Sequence, residues 1–209
     1  MPITLDTSLP ESLYPLAWLI GSWEGSGALT STTEGEPDAR LEQQLECSAR
    51  EDGSLEWRAT TYRVDAPAPL PPTSAFARDE TPRPAPEGTG ERRLLHRESG
   101  IWSVGEMLPG QDRAAAEAAR PGSPESRLSH RLTARFTHDD LVEDWAGEVR
   151  GPRARLALAD PDGQVLATRL FGYVSGRLMW LWEHRTEVPG GEPGETALTP
   201  WLSLEMHRA

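Results

Sequence analysis

Histidines and carboxylates are the residues of this chain with chemistry to offer, and their spacing says what kind. His96 and Glu98 stand two apart in Leu95-His96-Arg97-Glu98. On a strand they share one face, within reach of an imidazole–carboxylate hydrogen bond. Two readings of the pair stay open: a share in ligand binding, or a polar pair closing a hairpin at Ser99-Gly100. His184 closes a run in which Leu178, Trp180, Trp182 and His184 fall on one strand face. His130 and His138 have no second ligand close by in sequence, Cys47 is alone, and nothing has zinc-like spacing, so no metal site is expected. Glu143 and Asp144 are adjacent and point opposite ways on a strand, as a solvated face does. There is no Gly-x-Ser-x-Gly elbow, no P-loop and no Rossmann glycine pattern. No catalytic residue is assigned, and the reading leans away from an enzyme.

The elements that must position these residues are mostly strands. Ser12 to Ile20 reads as a short helix, with Leu13, Leu16, Ala17 and Ile20 at helical spacing and Gly21 ending it. The period then changes to two. Strand candidates are 23–30, 40–49, 54–64, 92–98, 101–108, 127–137, 140–149, 154–159, 164–174, 177–186 and 198–207. Turn chemistry joins many of them, as at Asp160-Pro161-Asp162-Gly163 and Ser175-Gly176. Two segments, about 65–89 and 109–126, break the pattern as loop insertions, although Asp112 to Arg120 has the composition of two helical turns. The expectation is an all-β, single-domain chain over 1–209: an antiparallel up-and-down barrel of about ten strands with a short N-terminal helix.

Composition narrows the partners. A formal net charge of -12 disfavours nucleic acid and anionic membranes. All 21 basic residues are Arg. One cysteine permits no internal disulfide and fits a reducing compartment. The N-terminus lacks the basic and apolar regions of a signal peptide, and no run approaches the ~18 apolar residues of a membrane helix. A cytoplasmic protein is expected, monomer or homodimer. Tryptophans at 23, 57, 102, 145, 180, 182 and 201 fall in strand candidates and could wall a small apolar ligand, or could simply fill the core.

The most specific motif is Gly21-Ser22-Trp23-Glu24-Gly25-Ser26-Gly27, entered from Leu16-Ala17-Trp18-Leu19-Ile20. Glycines at alternate strand positions ask for close backbone approach or a strongly coiled barrel edge, and Trp23 is a large plug beside Gly21, Gly25 and Gly27. This opening resembles that of the nitrobindins, a branch of the fatty-acid-binding-protein-like barrels that hold a haem in the cavity. His96-Arg97-Glu98-Ser99-Gly100-Ile101-Trp102 resembles the family's His-x-Glu-x-Gly-aromatic-Trp hairpin. Thr33 stands near a Thr that in the family contacts haem.

The resemblance has a sharp departure near the end. Nitrobindins finish in Pro-His-Leu-x-x-x-Leu-x-Arg, whose His ligates the iron; this chain reads Pro200-Trp201-Leu202-Ser203-Leu204-Glu205-Met206-His207-Arg208. Trp201 falls on the ligand position, and an indole offers no in-plane lone pair. The resemblance places His184 where the family usually has Met, directed into the cavity or hydrogen-bonded at a barrel end. His207, read on the same face as Trp201 and roughly 20 Å along the strand, is no local substitute. The expectation is a barrel without a cofactor, haem being disfavoured by Trp201, that binds a small apolar ligand. The alternatives are a haem-binding peroxynitrite isomerase using His184 or His96, and an interaction module packed solid with rings.

Overall fold

A computed structural model describes residues 9–33, 35–69, 88–120, 122–188, 190–192 and 194–209. A 3-10 helix, Glu11–Leu16, precedes ten strands: β1 (Gly21–Leu29), β2 (Ala39–Ala49), β3 (Leu55–Pro67), β4 (Arg92–Met107), β5 (Ser129–His138), β6 (Leu141–Arg150), β7 (Arg153–Ala159), β8 (Val165–Val174), β9 (Arg177–Glu187) and β10 (Thr196–Arg208). Every strand pairs with its sequence neighbours, and β10 returns to β1, so the sheet closes as an antiparallel up-and-down barrel. Closure leaves no free sheet edge.

Closure depends on the two glycines of the opening motif. Gly25 lies opposite Met206, and Gly27 opposite Leu204. A Cβ on Gly25 would come within 2.6 Å of the Met206 Cα, and one on Gly27 within 2.8 Å of the Leu204 Cα. The obstacle in both cases is backbone, which cannot rotate aside. Gly21 has a different reason: its φ is +130°, and the Arg208 guanidinium occupies the space a side chain would need. That guanidinium donates to the carbonyls of Ile20 (2.7 Å) and Trp18 (3.2 Å) and lies 4.4 Å from the Trp23 ring centre. The last strand thereby clamps the N-terminal lid, whose Leu13, Leu16, Trp18 and Leu19 close one end of the barrel. Trp18 and Trp23 donate their indole N–H groups to the carbonyls of Pro15 and Leu19.

Aromatic rings fill the middle. Trp57 stacks on Trp102 at 5.4 Å, Phe171 stacks on Trp180 at 5.5 Å, and Phe136 meets Trp57, Trp102 and Trp145 edge-on. Edge-to-face and offset contacts are the favoured ring geometries.

Three expectations need correction. The strands expected at 92–98 and 101–108 are one continuous strand, β4, with no hairpin at Ser99-Gly100. Gly100 sits between Trp57 and Phe136 in the ladder, and a Cβ there would approach the Phe136 Cδ1 to 2.6 Å. It makes room for rings; it does not make a turn. Trp201 occupies a β-bulge between Pro200 and Leu202, so Leu202, Leu204 and Met206 point inward while His207 is exposed beside Glu24. The bulge shifts the alternation, and His207 therefore does not share a face with Trp201. Finally, Asp65 to Pro67 belong to β3 although that stretch reads as loop; Asp65 accepts from the Thr89 amide and hydroxyl. Residues 70–87 of the expected 65–89 insertion lie outside the described residues. In the second insertion α1 (Arg113–Ala118) forms over the helical composition, capped by Asp112.

Gly25→Val and Gly27→Val are each expected to destabilise the barrel by about 1–3 kcal/mol through crowding against β10. Chemical denaturation checks this, and unchanged unfolding midpoints would contradict it.

Candidate functional site

The end of the barrel away from the lid is built differently. β4 begins there and carries His96; β5 ends there with His138; β6 begins with Glu143; β9 carries His184 on its outgoing half; β10 enters with Trp201. The Thr30 amide donates to the Trp201 carbonyl at 2.8 Å, which ties the β1 exit to the bulge. The bulge turns the indole inward. It stacks on His184 at 5.0 Å, on His96 at 6.3 Å, and meets Trp182 edge-on at 4.6 Å.

This mouth is poor in satisfied polar atoms. His184 Nε2 and Trp182 Nε1 are both buried without a hydrogen-bond partner. Burial is the first cause holding both His96 and His184 below the ordinary imidazole pKa. The Arg169 charge acts in the same direction on both, while Glu98 opposes it at His96 and Glu143 at His184. Both rings are thus neutral at neutral pH, each with one nitrogen lone pair. His138 Nε2 lies 3.5 Å from Glu143, which also accepts from Trp145 Nε1 at 3.1 Å.

Glu98 does not bond His96. Its carboxylate turns down into the barrel, where Arg169 donates to both oxygens (2.8 and 2.6 Å) and Trp57 Nε1 donates at 3.0 Å. Arg169 is fully buried, and its guanidinium faces the rings of Trp182, Phe136 and Trp145. Sequence reasoning missed it. The signal was present, since Arg169 alternates with Ala167 and Phe171 on the inward face of β8, but its partner lies 71 residues away.

The other expected residues divide. Trp182, His184, Trp201 and His96 are brought together. Trp180 lies one layer deeper, donating to Gln43 Oε1 at 3.2 Å. Trp23 and Gly21 are at the lid end. Thr33 is exposed in the turn after β1, bonded locally to Ser31, and is not part of the mouth. His130 and His207 also stay apart. A concavity of about 1160 Å³ runs along β1, β2, β9 and β10 past Gly25, Gly27, Gln43 and Leu204. Adjacent residues such as Glu24 and Gly25 both line it, so it is a crease along the glycine-rich strand; His207 lines it, while His96, His184 and Trp201 do not. Among the described residues no group of three or more His, Cys, Asp or Glu side chains is placed to hold a bare metal ion.

Residues 12–208 match the model of the THAP4-like, heme-binding beta-barrel domain. The chain belongs to this family. Relatives include a ferric nitrobindin-like protein of Kineococcus radiotolerans, 28% identical over 86% of this chain and 87% of its own. A peroxynitrite isomerase of Leifsonia xyli subsp. xyli is 30% identical over 87% of this chain and 89% of its own. The crystal structure of Rv2717c from M. tuberculosis, at 17% identity, shares the fold with a TM-score of 0.56, covering 97% of this chain and 99% of that one.

Membership of a heme-binding family overturns the expectation that the chain carries no cofactor, and points to haem. The inference from Trp201 went too far for a physical reason. It rested on a single position, whereas the barrel stacks two further imidazoles, His184 and His96, on that same indole.

Neutral buried imidazoles make the stability of this barrel pH-dependent. Above the ordinary imidazole value of about 6.5 neither folded nor unfolded chain holds these protons; below it the unfolded chain binds them first, so stability falls. Thermal midpoints are expected to drop between about pH 7.5 and about pH 5.5, and to drop less in His184→Phe and His96→Phe. Identical pH profiles in all three proteins would contradict the assignment.

Proposed function

We propose that this chain is a nitrobindin-type haem protein in which His184, and not residue 201, offers the iron ligand, and that peroxynitrite is its substrate. The observation that carries this reading is His184 Nε2: a buried, unpartnered nitrogen on a neutral ring, at the mouth of a barrel whose family binds heme. A buried polar nitrogen with no partner is costly unless something meets it, and in the tautomer with the proton on Nδ1 a metal ion accepts the Nε2 lone pair directly.

The donor set suits the group: two neutral imidazoles stand beside aromatic rings, and Trp201, packed on His184, would have to turn aside to admit it. Trp182 and Trp201 offer aromatic walls to a flat, largely apolar macrocycle, as they would to any small apolar ligand. His96 places a second neutral imidazole against the same indole, able to donate its N–H to an anionic substrate. Ferric haem bound there would supply the electron-accepting iron that converts peroxynitrite to nitrate. The peroxynitrite isomerases among the relatives support that choice of substrate. No helix among the described residues is long and apolar enough to cross a membrane, and the single thiol, Cys47, is buried; a cytoplasmic location suits both.

Hemin titration of the purified protein tests the reading. A histidine-ligated Soret spectrum is expected in the wild type, with affinity falling at least about tenfold, or about 1.4 kcal/mol, in His184→Ala. His96→Ala should keep the ligated spectrum and slow peroxynitrite decay. Equal affinity and an unchanged spectrum in His184→Ala would refute His184 as ligand.

A further inference from the structure

The layer beneath the mouth is occupied by one ion pair. The Arg169 and Glu98 side chains are 0% and 2% exposed, and the guanidinium closes on both carboxylate oxygens. A bidentate pair with a third donor, Trp57 Nε1, fixes the guanidinium plane as a single hydrogen bond would not. The guanidinium carbon lies 3.7 Å from the centre of the Trp182 ring, closer than to Phe136 (4.1 Å) or Trp145 (4.7 Å). Trp182 cannot orient itself by its own polar atom, because its Nε1 has no partner. Its plane is set by the cation and by ring packing. Trp182 is also the ring through which this layer reaches the mouth: it meets Trp201 at 4.6 Å, His184 at 5.1 Å and His96 at 6.4 Å. The β8–β9 ladder repeats the relation, with Arg169 opposite Trp182 and Ala167 opposite His184.

We propose that Arg169, locked by Glu98, is a positioning residue that sets the plane of Trp182 and, through it, the placement of His184 and Trp201 at the mouth. Its bearing on ligand binding rests on the function proposed above; the positioning itself operates in the empty protein. The competing role is simple stabilisation. A buried ion pair is a weak source of stability, since apolar residues of similar volume often replace both partners without loss, whereas removing one partner strands a charge. The two roles therefore separate in a variant that removes both charges together.

The test is Glu98→Leu/Arg169→Met, with no ligand added. The rate at which diethyl pyrocarbonate modifies His184 is followed by peptide mapping above neutral pH, with exposed His207 as internal reference. A cooperatively folded double variant is expected, in which His184 reacts several-fold faster relative to His207. Arg169→Lys keeps a charge for Glu98 but loses the planar fork, and should shift His184 in the same direction. Trp182→Phe, which leaves the pair intact, carries the same expectation if neither variant folds. Unchanged His184 reactivity in the folded variants would overturn the proposal. Hemin titration of the same proteins is a separate readout: a wild type that fails to bind hemin through His184 removes the ligand reading and leaves the reactivity result standing.

Discussion

A charge that cannot reach water has to be met inside the fold, and in this barrel Arg169 is met by Glu98. The pair joins β4 to β8 across the interior, and Trp57 on β3 completes the carboxylate's bonds. Aromatic rings from β5, β6 and β9 then pack on the guanidinium. Removing one partner alone would leave an unpaired charge among rings, at about 3–5 kcal/mol. The arrangement leaves those strands little freedom of register, because a slip of one residue would turn Arg169 or Glu98 outward and its neighbour in.

The tryptophans that meet the N-terminal lid and those at the mouth are held differently. At the lid end the indoles of Trp18 and Trp23 donate to backbone carbonyls, and Arg208 satisfies two more carbonyls while covering Trp23. At the mouth Trp182 Nε1 and His184 Nε2 are left without partners. Buried polar groups are nearly always paired, and Trp102 Nε1 and Arg169 Nε deeper in the barrel share this lack of a partner.

Much of this was legible in the sequence. Period-2 alternation locates the strands, and the glycines at 25 and 27 announce the close approach of β1 to β10. The shared face of Trp180, Trp182 and His184 is readable from spacing alone; burial follows it through Trp182, and His184 is half-buried. What failed depended on partners distant in sequence. Gly100 resembles a turn residue until Phe136 is placed beside it. Trp201 points inward because of a bulge, which no local pattern specifies. Glu98 looks like a partner for His96 because sequence shows only neighbours, while its true partner lies on β8. The expectation of no cofactor, drawn from Trp201 alone, fails against the heme-binding family, because one position in the sequence says nothing of a histidine that the barrel brings beside it from the adjacent strand.

The central claim is the proposal that His184 is the iron donor. The most direct measurement is a crystal structure of the protein grown with hemin. The account expects haem at the mouth against Trp201, with iron bonded to His184 Nε2. Iron bonded to His96, or haem held with no protein nitrogen on the iron, would contradict it.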